Sequence, residues 1–261
     1  MFPDLFSIGP FTIHTYGLFV AGGFLAGLIV AVKIGKSEGI NSQQVMDMGF
    51  IIILSAVIGS RLMYVISNWH HYSHQPADVF KLWQGGLVFS GGIILVFFSM
   101  AWYVRRHHLS YLKMGDLWAP AAAIGQGIGR IGCFMAGCCS GKPTDMQWGV
   151  VFTHPNSLAP LNISLHPTQL YSSVSGFVIF LILLLLNSKK QFEGQVLLWF
   201  LILHSTARLA IERFRGDDRG MLSCIDMTVT QLATILILVG SVVSLILIKS
   251  GAAKKTHLPP E

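Results

Sequence analysis

Long apolar segments separated by short polar connections dominate the chain. A helix needs about 20 predominantly apolar residues to cross the hydrocarbon core of a bilayer. Seven segments approach that length: Ile13–Val32, Val45–Ser67, Gly86–Val104, Leu117–Met135, Gln169–Leu186, Gln195–Ile211 and Met227–Ile248. The pattern predicts an all-α integral membrane protein with about seven transmembrane helices.

The composition excludes an ordinary soluble domain. Hydrophobic residues make up 52% of the chain and charged residues only 11%, against about 25% charged residues in soluble proteins. No repeat or linker divides the sequence, so we expect one transmembrane domain over residues 1–250 and a disordered cytoplasmic tail over 251–261. The start lacks a basic residue before its first apolar segment, which argues against a cleaved signal peptide.

Basic residues in the connections predict the orientation, because Lys and Arg concentrate on the cytoplasmic side of short loops. With the N-terminus in the periplasm, ten of the 18 Lys and Arg residues are cytoplasmic and five are external. The remaining three lie inside predicted spans. The count favours a periplasmic N-terminus and a cytoplasmic C-terminus, although the external connection "ERFRGDDRG" carries three arginines.

This orientation brings the polar residues within or beside the spans into the outer leaflet. They are His14, Tyr16, Arg61, Ser90, Arg130, His166, Tyr171, Arg208 and Glu212. An Arg at the centre of a membrane helix costs about 2.5–3.5 kcal/mol on insertion scales, so such residues usually have a function. The excess of positive charge predicts a site for an anion.

Arg208, Glu212 and Arg215 have the spacing of one helix face in the sixth span. Glu212 is then able to hold both guanidinium groups. The alternative is an internal salt bridge that only fastens this helix to a neighbour. For Arg61 the alternative is a side chain that extends to the membrane surface.

The fourth span has glycines at positions 125, 127, 129 and 132 around Arg130. Close helix packing through Gly125 and Gly129 is one interpretation. A backbone with few side chains that lets a phosphate approach Arg130 is the other. The soluble dinucleotide-binding pattern is absent, since neither its glycine spacing nor its preceding strand is found.

Motifs along nearly the whole chain resemble the prolipoprotein diacylglyceryl transferase family. They are "IHTYGL", "GGLVFSGG", "GRIGCFMAG" with "GKPT", "LHPTQLY" and "RLAIERFRGDDRG". The resemblance implies transfer of the diacylglyceryl group of phosphatidylglycerol to the lipobox cysteine of a preprolipoprotein, with release of glycerol phosphate. It also implies a cofactor-free, metal-free enzyme of the bacterial cytoplasmic membrane whose site opens toward the periplasm. We expect a monomer whose partners are membrane lipid and the signal peptide, not nucleic acid.

The resemblance also implies roles for single residues. Arg130 and Arg208 bind or polarise the phosphate, and Tyr16 lies against the headgroup. Apart from the resemblance, we name His166 as a candidate for proton transfer. The remaining predicted substrate-binding residues are Glu212, Arg215, Ser90, Gly91, Gly92, Gly141, Arg61 and Tyr171.

Several positions depart from the family pattern. Ser90 stands where the family commonly has a His that is a candidate base, and a lone Ser hydroxyl has no basicity near neutral pH. Cys133, Ala136 and Cys138 replace two Asn and a Glu, and Ser172 replaces another Glu. His166 and His14 are the alternatives for the proton acceptor.

The cysteines leave several interpretations open. Cys133, Cys138, Cys139 and Cys224 fall near the predicted outer face, where a disulfide is able to persist. Small packing residues are the other main interpretation, and the spacing is unlike that of a zinc site. Two other functions also remain: an anion transporter, and a diverged relative that acts on another lipid or in thiol redox chemistry.

Overall fold

The computed structural model describes residues 2–8, 11–81, 85–216, 221–222 and 227–255. Within these residues, seven helices contain 18 residues or more. They are α1 (Thr15–Ser37), α2 (Ser42–Ser67), α4 (Phe89–Arg106), α5 (Tyr111–Ala136), α6 (Thr168–Asn187), α7 (Gln195–Glu212) and α8 (Val229–Lys255), with the short helix α3 (Trp69–His74) and a 3₁₀ turn (Pro76–Phe80) between α2 and α4. Each long helix overlaps one predicted apolar segment.

Four of the long helices, α1, α2, α6 and α8, are long and apolar enough to cross a membrane. Large apolar side chains point away from the protein along them, as the exposed Phe50 and Leu62 of α2 and Leu236 of α8 show. Apolar patches of this extent are unusual on a soluble monomer and typical of a surface that meets lipid. The fold is therefore mostly helical, with spans suited to a bilayer.

Within the described residues, three short antiparallel strand pairs occur that were not predicted. They are β1 (Asp4–Ile8) with β2 (Phe11–His14), β3 (Val150–Val151) with β4 (Ser164–Leu165), and β5 (Met221–Leu222) with β6 (Met227–Thr228). The predicted start of the first span at Ile13 falls in β2, and α1 begins at Thr15, whose N–H donates to Pro3 O at 2.9 Å. The apolar residues of β2 lengthen the apolar run in the sequence, but they belong to a strand and not to the helix.

The chain folds as two compact units, one made of Met1–Val30 with Gly115–Glu261 and the other of Ala31–Met114. Helix α8 continues to Lys255, and residues 256–261 of the predicted tail lie outside the described residues. The single transmembrane domain and the disordered tail stay predictions.

In the unit Ala31–Met114, α2 and α4 pack closely through glycines. A Cβ on Gly91 would collide with Gly59 O and Met63 Cβ, and one on Gly92 would lie 2.5 Å from Ser60 Oγ. Ser55 and Ser99 join the same two helices by a hydrogen bond of 2.7 Å between their hydroxyl groups. Small residues allow this approach of two backbones in an apolar environment.

In the other unit, two neighbouring helices pack closely against glycines of α5. A Cβ on Gly23 of α1 would lie 2.7 Å from Gly125 O, and one on Gly176 of α6 would lie 2.9 Å from the Cα of Gly127. The fully buried carboxylate of Asp116 on α5 accepts the N–H of Gly194 at 2.8 Å and of Leu197 at 2.9 Å. Asp116 thereby satisfies free donors at the start of α7.

Candidate active site

Arg130 lies near the C-terminal end of α5 and is half-buried. Among the described residues, none forms a hydrogen bond or an ion pair with its guanidinium group. Three of the four surrounding glycines serve helix packing, since a Cβ on residue 125, 127 or 132 would press on a neighbouring helix. Only beside Gly129 would an added Cβ meet no atom within 4 Å. The packing interpretation thus holds for most of this surface, and open space remains next to Arg130.

Arg208 and Glu212 of α7 form an ion pair of 2.5 Å between Nη1 and Oε2, with side chains 13% and 8% exposed. His204, one turn before Arg208, lies within electrostatic reach of both Arg208 and Arg130. Because the two arginines belong to α7 and α5, the fold brings positive charge from two helices to one neighbourhood. The sequence analysis did not select His204, although its spacing of four residues from Arg208 was a usable signal.

Arg215 does not share a helix face with Arg208, because α7 ends at Glu212. The prediction of one continuous face is wrong at this point. Arg215 is instead held by an antiparallel bridge to Gly141, and its side chain is buried. A Cβ on Gly141 would lie 2.6 Å from His166 O and 2.7 Å from Phe214 O. Only a glycine fits there, so Gly141 positions the segment that carries Arg215.

His166 and Tyr171 belong to a polar and aromatic group beside this bridge. The Tyr171 hydroxyl oxygen accepts a hydrogen bond of 2.8 Å from Trp148 Nε1 and lies 3.3 Å from His166 Nδ1. The Phe214 ring packs against His166 with a distance of 5.1 Å between ring centroids. These contacts fix the orientation of the imidazole ring of His166.

Three cysteines lie at the end of α5 and in the turn after it. Cys133, Cys138 and Cys139 are free thiols, and the Cys138 thiol donates to Cys133 O at 3.7 Å. The hydrogen bonds of Cys133 and Cys138, followed by that of Arg215, lower the pKa of Cys139 below that of an ordinary thiol. Cys224 lies outside the described residues.

Tyr16, in the first turn of α1, faces this thiol cluster. It lies within electrostatic reach of the three cysteines and of Arg130. Its backbone packs on α5, since a Cβ on Gly132 would lie 3.2 Å from Tyr16 O. Tyr16 and Arg130 thus belong to one compact unit, and their shared role in a site stays a prediction.

His14 is exposed and forms an ion pair of 2.7 Å between its Nδ1 and Asp4 Oδ1. Asn156 Nδ2 donates to the other carboxylate oxygen of Asp4 at 2.9 Å. The hydrogen bonds from Asn156 and His14 hold the pKa of Asp4 below its usual value. His14 is thus paired with Asp4 at the hairpin of β1 and β2. His166, in contrast, contacts Tyr171, which is another predicted site residue.

Arg61 lies in the unit Ala31–Met114 and is 6% exposed. All five of its N–H donors have backbone acceptors: Val79 O (2.9 Å), Gly85 O (2.7 Å), Gly86 O (3.2 Å), Asp78 O (2.6 Å) and Lys81 O (3.3 Å). Tyr64 and Tyr72 place their rings 5.8 and 5.5 Å from the guanidinium carbon. This geometry favours a role in holding the loop between α3 and α4.

The other predicted site residues of this unit lie in the first turn of α4. Ser90 is exposed, whereas Gly91 and Gly92 are buried against α2. The two glycines therefore have a packing role, and their share in substrate binding stays a prediction. In the part of the chain that the structure describes, no three His, Cys, Asp or Glu side chains are arranged to hold a metal ion.

A family model described as prolipoprotein diacylglyceryl transferase matches residues 3–247. The chain belongs to the prolipoprotein diacylglyceryl transferase family. The resemblance seen in the sequence is confirmed over nearly its whole length, and membership in this family makes the chain a membrane-bound transferase.

Three members of the family illustrate the similarity. The phosphatidylglycerol–prolipoprotein diacylglyceryl transferase of Clostridium tetani is 38% identical, over 85% of this chain and 89% of its own. The phosphatidylglycerol–prolipoprotein diacylglyceryl transferase 2 of Clostridium perfringens is 30% identical over 94% of both chains. The relative in Finegoldia magna is 33% identical over 91% of this chain and 92% of its own.

Proposed function

We propose that this chain transfers the diacylglyceryl group of phosphatidylglycerol to the lipobox cysteine thiol of preprolipoproteins. The family and the printed names of the relatives support this reaction. The observation that carries it in this chain is the half-buried Arg130, which has no ion-pair partner among the described residues. A membrane protein that holds such a cation near a second arginine is suited to an anionic lipid headgroup.

In the proposed step, the lipobox sulfur attacks the glyceryl carbon that carries the phosphate. A carbon–sulfur bond forms, the carbon–oxygen bond to the phosphate breaks, and glycerol phosphate leaves with the bonding electrons. Arg130 and Arg208 stabilise the negative charge that grows on the leaving phosphate. Glu212 holds Arg208 in place through its ion pair.

The thiol must lose its proton during this attack. His166 is the proposed acceptor, because its ring is oriented by contacts with Tyr171 and Phe214. Tyr16 is proposed to contact the headgroup from the side of α1, with Gly141 and Arg215 completing the site. Substrate contacts of Tyr171, Ser90, Gly91, Gly92 and Arg61 remain predictions.

The proposed topology has seven spans, a periplasmic N-terminus and a cytoplasmic C-terminus in the bacterial inner membrane. The seven long helices and the ten-to-five distribution of basic residues support it. We expect the site to open toward the periplasm and the protein to act as a monomer. Reporter fusions after Lys36 and after Lys142 test the orientation, since they must report the cytoplasm and the periplasm respectively. Size determination in detergent tests the monomer.

The activity test uses purified protein with phosphatidylglycerol and a lipobox peptide. Mass spectrometry follows the thioether-linked lipidated peptide and the released glycerol phosphate. Both products from wild-type protein, and sharply less from Arg130→Ala, support the proposal. Folded wild-type protein that yields neither product contradicts it and favours a relative acting on another lipid.

A further inference from the structure

Three thiols meet at the end of α5, within the group of residues around Arg130 and Arg215. Cys133 belongs to the last turn of the helix, and Cys138 and Cys139 follow it. All three side chains are half-buried, so a small reagent has access to them. None of the reaction steps proposed above uses these sulfurs.

The backbone at Cys138 and Cys139 is held by two buried side chains of α6. Thr168 Oγ1 donates to Cys139 O, and Gln169 Nε2 donates to Cys138 O, both at 2.8 Å. Cys139 itself has a φ of 63°, which is an unfavourable conformation for a residue with a side chain. Strained backbone that its surroundings hold in place is typical of functional positions. The position of the Cys139 sulfur is therefore set by the fold.

Cys133 is the thiol best placed to pair with Cys139. It belongs to the last turn of α5, five residues before Cys138, and it contributes to the hydrogen bonding of the Cys139 thiol. Cys138 directs its thiol toward the backbone oxygen of Cys133 at 3.7 Å. A bond between the adjacent Cys138 and Cys139 also requires a small, strained ring.

We propose that Cys133 and Cys139 form a reversible disulfide on reaction with a small disulfide oxidant, and that this bond draws the Cys139 sulfur away from Arg215 and lowers the transferase activity. The bond is a redox control of the arginine site. Its effect on activity rests on the function proposed above, whereas its formation does not.

The small disulfide oxidant accepts the two electrons that the protein thiols lose. The Cys139 thiolate, which its lowered pKa favours, attacks one sulfur of the oxidant and displaces the other as a thiolate. Cys133 then loses its proton and attacks the Cys139 sulfur of this mixed disulfide, which releases the second half of the oxidant. Two protein thiols are oxidised, and one oxidant disulfide is reduced to two thiols.

The effect on activity follows from the contact between Cys139 and Arg215. A disulfide sulfur is a weaker hydrogen-bond acceptor for the Arg215 guanidinium group than a thiol or thiolate sulfur is. Arg215 lies on the segment bridged to Gly141, so a change in its position reaches the neighbouring site. A displacement of a binding group by about 1 Å lowers rates by up to roughly a hundredfold.

The test treats the full-length protein in detergent with oxidised glutathione and then with dithiothreitol. Mass spectrometry of proteolytic fragments locates the disulfide, and the transferase assay gives the ratio of reduced to oxidised activity. We expect a Cys133–Cys139 link, an activity ratio of about ten- to a hundredfold, and full recovery on reduction. Cys133→Ser and Cys133→Ala must form no internal link and stop at the mixed disulfide of Cys139 with glutathione, whatever their basal rates, whereas Cys224→Ser must still form the Cys133–Cys139 link.

Several outcomes overturn the proposal. Folded protein that forms no link, or that links Cys139 to Cys138 or to Cys224, contradicts the assignment of the pair. A Cys133–Cys139 link with unchanged activity contradicts the proposed redox control of the transferase. If reduced wild-type protein is inactive, the proposed function fails, and native mass spectrometry of phosphatidylglycerol binding before and after oxidation then decides the effect of the bond on the site.

Discussion

Arg61 and Arg130 both lie inside predicted membrane spans, but their surroundings differ completely. Arg61 is buried and gives each of its five N–H donors to a backbone carbonyl oxygen of the loop between α3 and α4. Arg130 is half-buried and has no hydrogen-bond or ion-pair partner among the described residues. One guanidinium group is saturated by backbone carbonyl oxygens, whereas the described part of the chain supplies no acceptor for the other.

The difference shows that a charge inside a span does not by itself mark a binding site. A buried polar group must be hydrogen-bonded, and the protein is able to supply all the partners itself. A guanidinium group without protein acceptors calls for an external anion or water. Arg208 and Arg215 lie between these extremes, since one is paired with Glu212 and the other bonds to the Cys139 thiol.

The largest expected effect is that of Arg130→Met on catalysis. Loss of a group that stabilises developing charge commonly lowers kcat by about 10²–10³-fold, and we expect kcat/KM for lipidation of the peptide to fall by that order. Arg105→Met, at an exposed position at the end of α4, is the matched control. Activity of Arg130→Met within a few-fold of wild type would remove the main difference between the two arginines.

Arg61→Met is expected to act on stability. It leaves five carbonyl oxygens without their donors, and unsatisfied buried groups cost about 1–3 kcal/mol each when water does not reach them. We expect a clearly lower midpoint of thermal unfolding in detergent, with Arg105→Met again as control. If activity falls further than the folded fraction does, Arg61 also contacts substrate.

A smaller effect is expected for Glu212→Gln, which removes the charged partner of Arg208. Loss of a residue that orients a functional group typically costs about 10–100-fold in activity, and we expect the lower end of this range. The double variant with Arg208→Met tests the coupling. Its activity must match that of Arg208→Met alone, because Glu212 acts through Arg208; independent, additive losses contradict this.

The smallest effect concerns the reactivity of Cys139. Arg215 contributes to the lowered pKa of this thiol, so Arg215→Gln raises the pKa and decreases the thiolate fraction near neutral pH. We expect alkylation of Cys139 by iodoacetamide to slow by a few-fold at about pH 7, below the usual thiol pKa of about 8.5. The change in the pKa of Cys139 is limited, because the hydrogen bonds of Cys133 and Cys138, which lower this pKa more than Arg215 does, remain in the variant. Arg213→Gln, at an exposed neighbouring position, must leave the rate and its pH profile unaltered.

Parts of the site were within reach of sequence reasoning. The motifs selected Arg130, Arg208 and Tyr16, and the spacing of four residues predicted the Arg208–Glu212 ion pair. The same spacing rule failed at Arg215 because it assumes that the helix continues. In the structure the helix ends at Glu212, and the segment after it packs against Gly141. Gly141 contacts His166 and Phe214, which lie far from it in the chain, and a spacing rule for one helix does not predict such contacts.

By itself, the sequence determined the seven long helices, because apolarity is summed over contiguous residues and each span carries its own signal. It also determined which arginines lie in those helices. Only the tertiary structure decided which of them are satisfied, since the partners of Arg61 come from a separate loop and those of Cys139 come from α6 and the bridge after α7. Hydrogen bonds depend on distance and direction in space, and these are set by packing between elements.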